Sequence, residues 1–224
     1  SPGVGRREGQ LRRKKALSDA AEPKGAPPDE KEIQRAGAAG HDLRRRFPIP
    51  DHLVRGTALG NVLAAMEDGA GRAYGLDAVT AWPRLYPLLG ERVRATVDDR
   101  RDSLDLAARM AVTMAFTAVA TFALLLASGW WLLLALVPLA LAWTAYRGAV
   151  HVALAYAESV EVAFDLHRAD LLYALRMPPQ EDPDKERALF ELWCDHWRQG
   201  IPLPDDMRFA LVQNESHIVY REQK

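Results

Sequence analysis

The chain has 224 residues, with 29 lysines and arginines against 30 aspartates and glutamates and a formal net charge of -1. This balance argues against a nucleic-acid-binding domain, which is normally strongly basic. A single cysteine excludes an internal disulfide framework and a multi-cysteine zinc or iron–sulfur site. Hydrophobic residues make up 49% of the chain, but they are concentrated in one block, so the average conceals a strongly apolar segment.

Residues 1–55 are rich in Gly, Pro, Ala and charge and show almost no aliphatic periodicity. Basic clusters at residues 11–15 and 44–46 interrupt this segment. It offers too little apolar surface to offset the entropy lost on folding. We therefore predict a disordered, basic and Pro-rich tail, which serves as a solvated linker or as a basic arm near RNA or anionic lipid headgroups.

Helical spacing of apolar residues begins near Gly60 and extends over residues 56–104, which we predict to be cytosolic helices leading into the membrane. Trp82 and Tyr86 lie in a stretch with two prolines, which favours a short helix followed by a bend. From Glu91 onward no helix breaker precedes the apolar block. One continuous helix is therefore predicted to enter the membrane.

The apolar block, residues 110–146, contains no charged residue. A straight helix of that length would measure roughly 55 Å, against a hydrocarbon core of about 30 Å. The dipeptide Ser128-Gly129 is the turn-like break near its middle. We predict a transmembrane helical hairpin over residues 105–150, with spans at residues 106–127 and 130–150.

Helical character continues over residues 151–179, where Met177-Pro178-Pro179 ends it. We predict a cytosolic stalk helix there, antiparallel to the helix before the first span. Residues 180–224 predict a C-terminal helix at 184–199, capped by Gly200, and then an irregular tail. The predicted fold class is all-α: a transmembrane helical hairpin with cytosolic extensions that form an antiparallel stalk, and small helical satellites.

Arginines flank both open ends of the hairpin, whereas its tip carries no charge. The positive-inside rule then places both termini in the cytoplasm of a two-span plasma-membrane protein. Aromatic and arginine side chains near the span ends are typical interface anchors. The predicted anchors are Arg109, Trp130, Trp131, Trp143, Tyr146 and Arg147.

Small residues recur every four positions on each span, and folding the chain about Ser128-Gly129 places the two stripes opposite each other. Small-xxx-small stripes let helix backbones approach closely in lipid. The sequence therefore predicts that the spans pack through Thr113, Thr117 and Thr121 on the first span and Ala140, Thr144 and Gly148 on the second. In that arrangement, Thr117→Leu would push the spans apart.

No pattern in the sequence indicates catalysis, a cofactor or a metal. His151, Glu158 and Asp165 share one helix face, but the Glu-x-x-His pairs of di-metal bundles are missing, so a salt-bridged surface is favoured. The glycines at residues 69–75 miss the dinucleotide-binding spacing and follow a helical pattern rather than a strand. We predict a protein that is not an enzyme, with no cofactor, no metal and no specific nucleic-acid partner.

Three stretches carry a resemblance to other sequences: Trp-Pro-Arg-Leu-Tyr-Pro-Leu-Leu at residues 82–89, Asp-Ser-Leu-Asp-Leu-Ala at 102–107 and Ala-Phe-Asp-Leu-His-Arg at 163–168. Over residues 56–186 the chain resembles predicted two-span membrane proteins of unknown function from high-GC bacteria. The resemblance implies a membrane location and brings no activity, substrate or catalytic residue with it.

Two aromatic pairs are predicted to form surfaces for a partner: Trp82 with Tyr86, and Trp193 with Trp197. The sequence therefore predicts an integral membrane anchor or interaction protein, which presents its cytosolic stalk to a protein partner or to other copies of itself. The alternative is an oligomeric pore or transport subunit in which the threonine stripe of the first span lines the channel.

Overall fold

The computed structural model describes residues 2–23, 29–178 and 180–204. These residues contain helices and no strands, so the all-α prediction is confirmed. The α-helices are α1 (Pro2–Ala21), α2 (Glu30–Arg46), α3 (Ala58–Gly69), α4 (Ala78–Leu85), α5 (Glu91–Leu125), α6 (Leu136–Ala174) and α7 (Pro183–Gln199). A seven-residue 3₁₀-helix, Gly129–Ala135, joins α5 to α6 and is called the tip helix.

Helices α5 and α6 pack side by side as an antiparallel pair, with 35 and 39 residues respectively. At their open end, the Gly90 amide lies 3.5 Å from Nε2 of His167. Buried positions on α6 recur every seven residues at Ala142 and Ala149, and on α5 at Val97 and Leu104. A spacing of seven is typical of helices that cross at a shallow left-handed angle.

The chain reverses at the predicted Ser128-Gly129 corner. The Ser128 amide donates to the carbonyl of Leu125 at 2.9 Å, and Gly129 has a φ of +60°, a conformation that glycine adopts without steric cost. Pro138 lies in the first turn of α6 and has no N–H to donate to the carbonyl of Leu134. The regular α ladder therefore starts late, and the chain ahead of it takes 3₁₀ geometry.

The predicted packing stripe between the spans is wrong in its rotational phase. Thr113, Thr117, Ala140 and Thr144 are exposed, and Thr121 and Gly148 are only half-buried. A Cβ built on Gly148 would meet nothing within 4 Å, so no backbone approaches closely there. The buried small residues that form the seam are Ala118, Ala135, Ala142 and Ala149.

The tip helix explains this error. A 3₁₀ residue turns the chain by about 120° and an α residue by about 100°, so seven residues change the phase by about 140°. Folding the sequence symmetrically about Ser128-Gly129 assumes α geometry on both sides of the corner. The tip helix breaks that symmetry and brings a different face of the second span against α5.

Ala118→Leu is expected to destabilise the helix pair by about 1–3 kcal/mol, because Ala118 is only 7% exposed and extra methylenes overpack a tight seam. Thr117→Leu serves as the matched control. Thr117 is exposed and its hydroxyl donates to the carbonyl of Thr113 on its own helix, so its replacement should change stability by less than about 0.5 kcal/mol. Unfolding by SDS in detergent micelles measures the stability of both variants. A larger loss of stability in Thr117→Leu than in Ala118→Leu would support packing through the threonine stripe.

The disordered tail predicted for residues 1–55 is also corrected, because α1 and α2 pack against each other there. Arg7 donates from Nε to the carbonyl of Val54 at 3.1 Å, and Lys14 bonds the carbonyl of Ile49 at 2.6 Å. Asp29 caps α2 by accepting from the Glu30 amide. Helix α1 is held by side-chain bonds to distant backbone groups, which apolar periodicity does not reveal.

Helix α3 lies mainly against the middle of α6, and α4 and α7 pack with its C-terminal half. Their shared core contains fully buried Phe164 and Phe190, with Leu85, Leu171 and Leu172. The predicted C-terminal helix and its cap are confirmed, since Gly200 has a φ of +68° and its amide donates to the carbonyl of His196 at 2.8 Å. The remainder of the predicted tail, residues 205–224, lies outside the described residues.

Candidate functional site

The most prominent surface feature is a continuous set of exposed large apolar side chains on the half of the α5–α6 pair nearest the tip. Phe116 is 73% exposed and Leu124 is 82% exposed. We call this surface the apolar belt; its members are Leu106, Met110, Val112, Phe116, Val119, Phe122, Leu124, Leu126, Trp130, Trp131, Leu133, Leu134, Leu136, Val137, Leu139, Leu141 and Trp143. A water-soluble monomer rarely exposes a contiguous apolar surface of this extent.

The belt has two legs of equal length. The first leg, from Leu106 to the end of α5 at Leu125, measures about 30 Å at 1.5 Å per residue. The second leg runs from Gly129 to Tyr146 and combines the tip helix, at about 2.0 Å per residue, with three turns of α6, which again gives about 30 Å. This is the thickness of a bilayer's hydrocarbon core. Both helical segments are long and apolar enough to cross a membrane.

The tip of the hairpin exposes two indole rings that contact each other at a tilt. The rings of Trp130 and Trp131 lie 4.4 Å apart at their centroids, and both side chains are at least half exposed. The Leu125 carbonyl at the end of α5 accepts from the Ser128 amide, and the chain between α5 and α6 has no regular α-helical hydrogen bonding. Indole rings are typical of the membrane interface, where water and headgroups can bond to the backbone of such a turn.

The opposite edge of the belt holds the other predicted anchors. Arg147 lies over the ring of Trp143 at 5.1 Å, and Arg109, 82% exposed, lies 3.9 Å from Asp105. The Tyr146 hydroxyl accepts from the Leu59 amide at 3.4 Å, which places the start of α3 beside the end of the second leg. Helix α3 therefore begins to cover α6 where the belt ends.

The four aromatic side chains predicted to receive a partner are buried or half-buried in the structure. Trp193 is only 8% exposed, and Trp82, Tyr86 and Trp197 pack against the same core. Arg84 of α4 lies over the ring of Trp197 at 4.3 Å. The apolar faces of α4 and α7 cover each other and α6, a pairing that the sequence pattern could not distinguish from a free docking surface.

The charged face of the stalk is occupied by ion pairs and hydrogen bonds. Arg45 bonds Glu158 at 3.2 Å, and Arg168 bonds Glu186 at 2.9 Å. Tyr74 donates its hydroxyl to Asp165 at 2.8 Å, and this bond raises the pKa of the Tyr74 hydroxyl. Among the described residues, no group of three or more histidine, cysteine or acidic side chains is placed to hold a metal ion.

Cys194 is buried between α7 and the start of α4. Burial raises the pKa of its thiol, and its sulfur accepts from the Asp77 amide at 3.3 Å. A thiol held protonated in an apolar contact is a packing element rather than a nucleophile.

The candidate site is therefore the apolar belt together with its boundary at Trp143, Tyr146 and Arg147. Its geometry places aromatic rings at both edges of two apolar legs that match the hydrocarbon thickness. Comparison with protein-family models, with curated proteins and with solved structures finds no match for this chain.

Proposed function

We propose that the chain is an integral membrane protein that crosses the plasma membrane twice and anchors a cytosolic helical domain at the inner leaflet. The observation that supports this role is the apolar belt. Its legs of about 30 Å continue, along α5 and α6, into a packed and charged domain. The role of such an anchor is interaction: it keeps the domain near the membrane, where a protein partner or a second copy docks.

Lipid explains the belt better than a soluble protein partner does. Exposed members such as Leu133 and Leu134, or Leu136 and Val137, are neighbours in sequence and so point about 100–120° apart. The apolar surface therefore surrounds the helix pair. A partner protein covers one face of such a pair, whereas a bilayer covers all of them.

The proposed orientation has the tip outside and both ends of the hairpin in the cytoplasm, by the positive-inside rule. Cysteine labelling on intact cells tests it. In a Cys194→Ala background, Ser128→Cys should react with a membrane-impermeant maleimide, and Asp170→Cys should react only after lysis. Labelling in the opposite order would contradict the orientation.

The two small-residue stripes supply a contact for self-association, because most of each stripe stays exposed on the outside of the pair. Thr113 and Thr117 on α5 and Ala140 and Thr144 on α6 would let a second hairpin approach closely in lipid. After extraction in mild detergent, we expect a defined oligomer or a co-purified protein. A monodisperse monomer without a partner would contradict the interaction role.

The same exposure supports a second candidate, an oligomeric pore. A pore needs a polar stripe that remains free after the two spans pair, and the hydroxyls of Thr113 and Thr117 meet that need. Ion flux through reconstituted vesicles that is lost in Thr117→Val would favour the pore over the anchor.

A further inference from the structure

A cavity of about 620 Å³ lies where the apolar belt meets the cytosolic domain. Helices α1, α2 and α6 and the residues before α3 enclose it. Arg6, Arg13, Arg46 and Arg147 line it, together with Trp143 and Tyr146 from the end of the second leg. The cavity therefore sits at the depth where lipid headgroups would lie.

The arginines give this cavity a positive charge. Among the residues that the structure describes, no aspartate or glutamate lines it, although the whole chain has a formal net charge of -1. Within the described residues, Arg6, Arg13 and Arg147 have no ion-pair partner, and Arg46 has only Asp42, one turn earlier on its own helix, at 3.6 Å. Four guanidinium groups gathered without a carboxylate repel one another, and a bound anion removes that repulsion.

Neutral donors add to the arginines. Helix α3 begins at the cavity, where Gly56, Thr57 and Ala58 form part of the wall, so the positive end of the helix dipole lies beside it. The Tyr146 oxygen accepts from the Leu59 amide, which leaves its hydroxyl hydrogen free to donate. Guanidinium forks, a helix start and a hydroxyl together match the oxygens of a phosphate group.

We propose that this cavity binds the phosphate headgroup of an anionic glycerophospholipid of the inner leaflet. The inference rests on the proposed function, because the cavity reaches headgroup depth only if the hairpin spans the bilayer. Basic pockets on the cytoplasmic side of membrane helices are suited to such headgroups. The adjoining belt, with Trp143 at its edge, would cover the acyl chains, a contact that free phosphate lacks.

The test uses the purified full chain in an uncharged detergent, titrated with dihexanoyl phosphatidylglycerol, dihexanoyl phosphatidylcholine and inorganic phosphate by calorimetry. We expect saturable binding of phosphatidylglycerol at one site, with phosphatidylcholine and inorganic phosphate at least tenfold weaker. The double variant R13Q/R46Q should weaken phosphatidylglycerol binding about 25-fold, at roughly fivefold for each basic residue removed.

The matched control is R12Q/K15Q, which removes the same charge from exposed positions of α1; neither residue lines this cavity. It should change the affinity by less than about twofold. Circular dichroism of each variant reports on folding, and the single variant Arg6→Gln, at an exposed position, repeats the test without altering α2. Equal weakening by both double variants would show diffuse surface attraction and overturn the site, as would equal affinity for inorganic phosphate.

Carbonate washing of membranes from the same cells separates the two proposals. A chain that stays in washed membranes but does not prefer phosphatidylglycerol refutes the lipid site and leaves the membrane anchor intact. A chain that carbonate releases refutes the membrane anchor, and the lipid site with it.

Discussion

Phe116→Asp should strongly reduce the fraction of the chain that is integrated in membranes. Phe116 lies midway along the first leg and is 73% exposed, so its replacement would place a carboxylate near the bilayer centre. That costs about 2.5–3.5 kcal/mol on insertion scales, or roughly a 100-fold shift in the insertion equilibrium. The ratio of carbonate-resistant to carbonate-soluble protein measures the change.

Leu166→Asp is the control for this experiment. Leu166 is 62% exposed, but it lies on the C-terminal half of α6, outside the belt. Substitution at a solvated surface position changes stability by less than about 0.5 kcal/mol, so the integrated fraction should not move. If Phe116→Asp were as silent as Leu166→Asp, water rather than lipid would surround the belt.

Phe164→Ala should destabilise the domain that α3, α4 and α7 form with α6 by about 3–5 kcal/mol, because the substitution removes a fully buried ring and leaves a cavity. The Phe164 ring lies 5.9 Å from that of Trp82, between α6 and α4. It also packs so close to Gly71 that a Cβ there would come within 3.0 Å of its Cδ1. The variant therefore loosens α4 and the turn before it, while the hairpin should stay in the membrane.

Tryptophan fluorescence during urea titration, together with proteolysis of α7, measures the loss. Leu166→Ala, two residues further along α6 and exposed, should leave the midpoint unchanged within error. An unchanged midpoint in Phe164→Ala would mean that α4 and α7 do not depend on the packing described for them.

Several elements could be predicted from the sequence because they depend on local chemistry. Ser128-Gly129 marks the corner because only a residue tolerant of positive φ completes that turn, and Gly200 ends α7 for the same reason. The apolar character of residues 110–146 follows from the absence of any charge over that length, and Ser128-Gly129 is the break at which the chain turns.

The faces of α5 and α6 that meet could not be predicted from the spacing of residues in the sequence. The threonine stripe has the right spacing, but the phase of the second span depends on the tip helix, whose 3₁₀ form appears only in the folded chain. Likewise, α1 carries almost no apolar periodicity, and it is held by bonds such as that from Arg7 to the distant carbonyl of Val54.

By itself, the sequence determined where the chain is apolar, where it turns and that it is helical, because these properties depend on neighbouring residues. Only the tertiary structure decided which faces meet: Ala118 rather than Thr117 in the seam, and Trp193 in the core rather than on a docking surface. The arginine-lined cavity belongs to this second group, since Arg6, Arg46 and Arg147 are far apart in the chain and come together only when three helices pack.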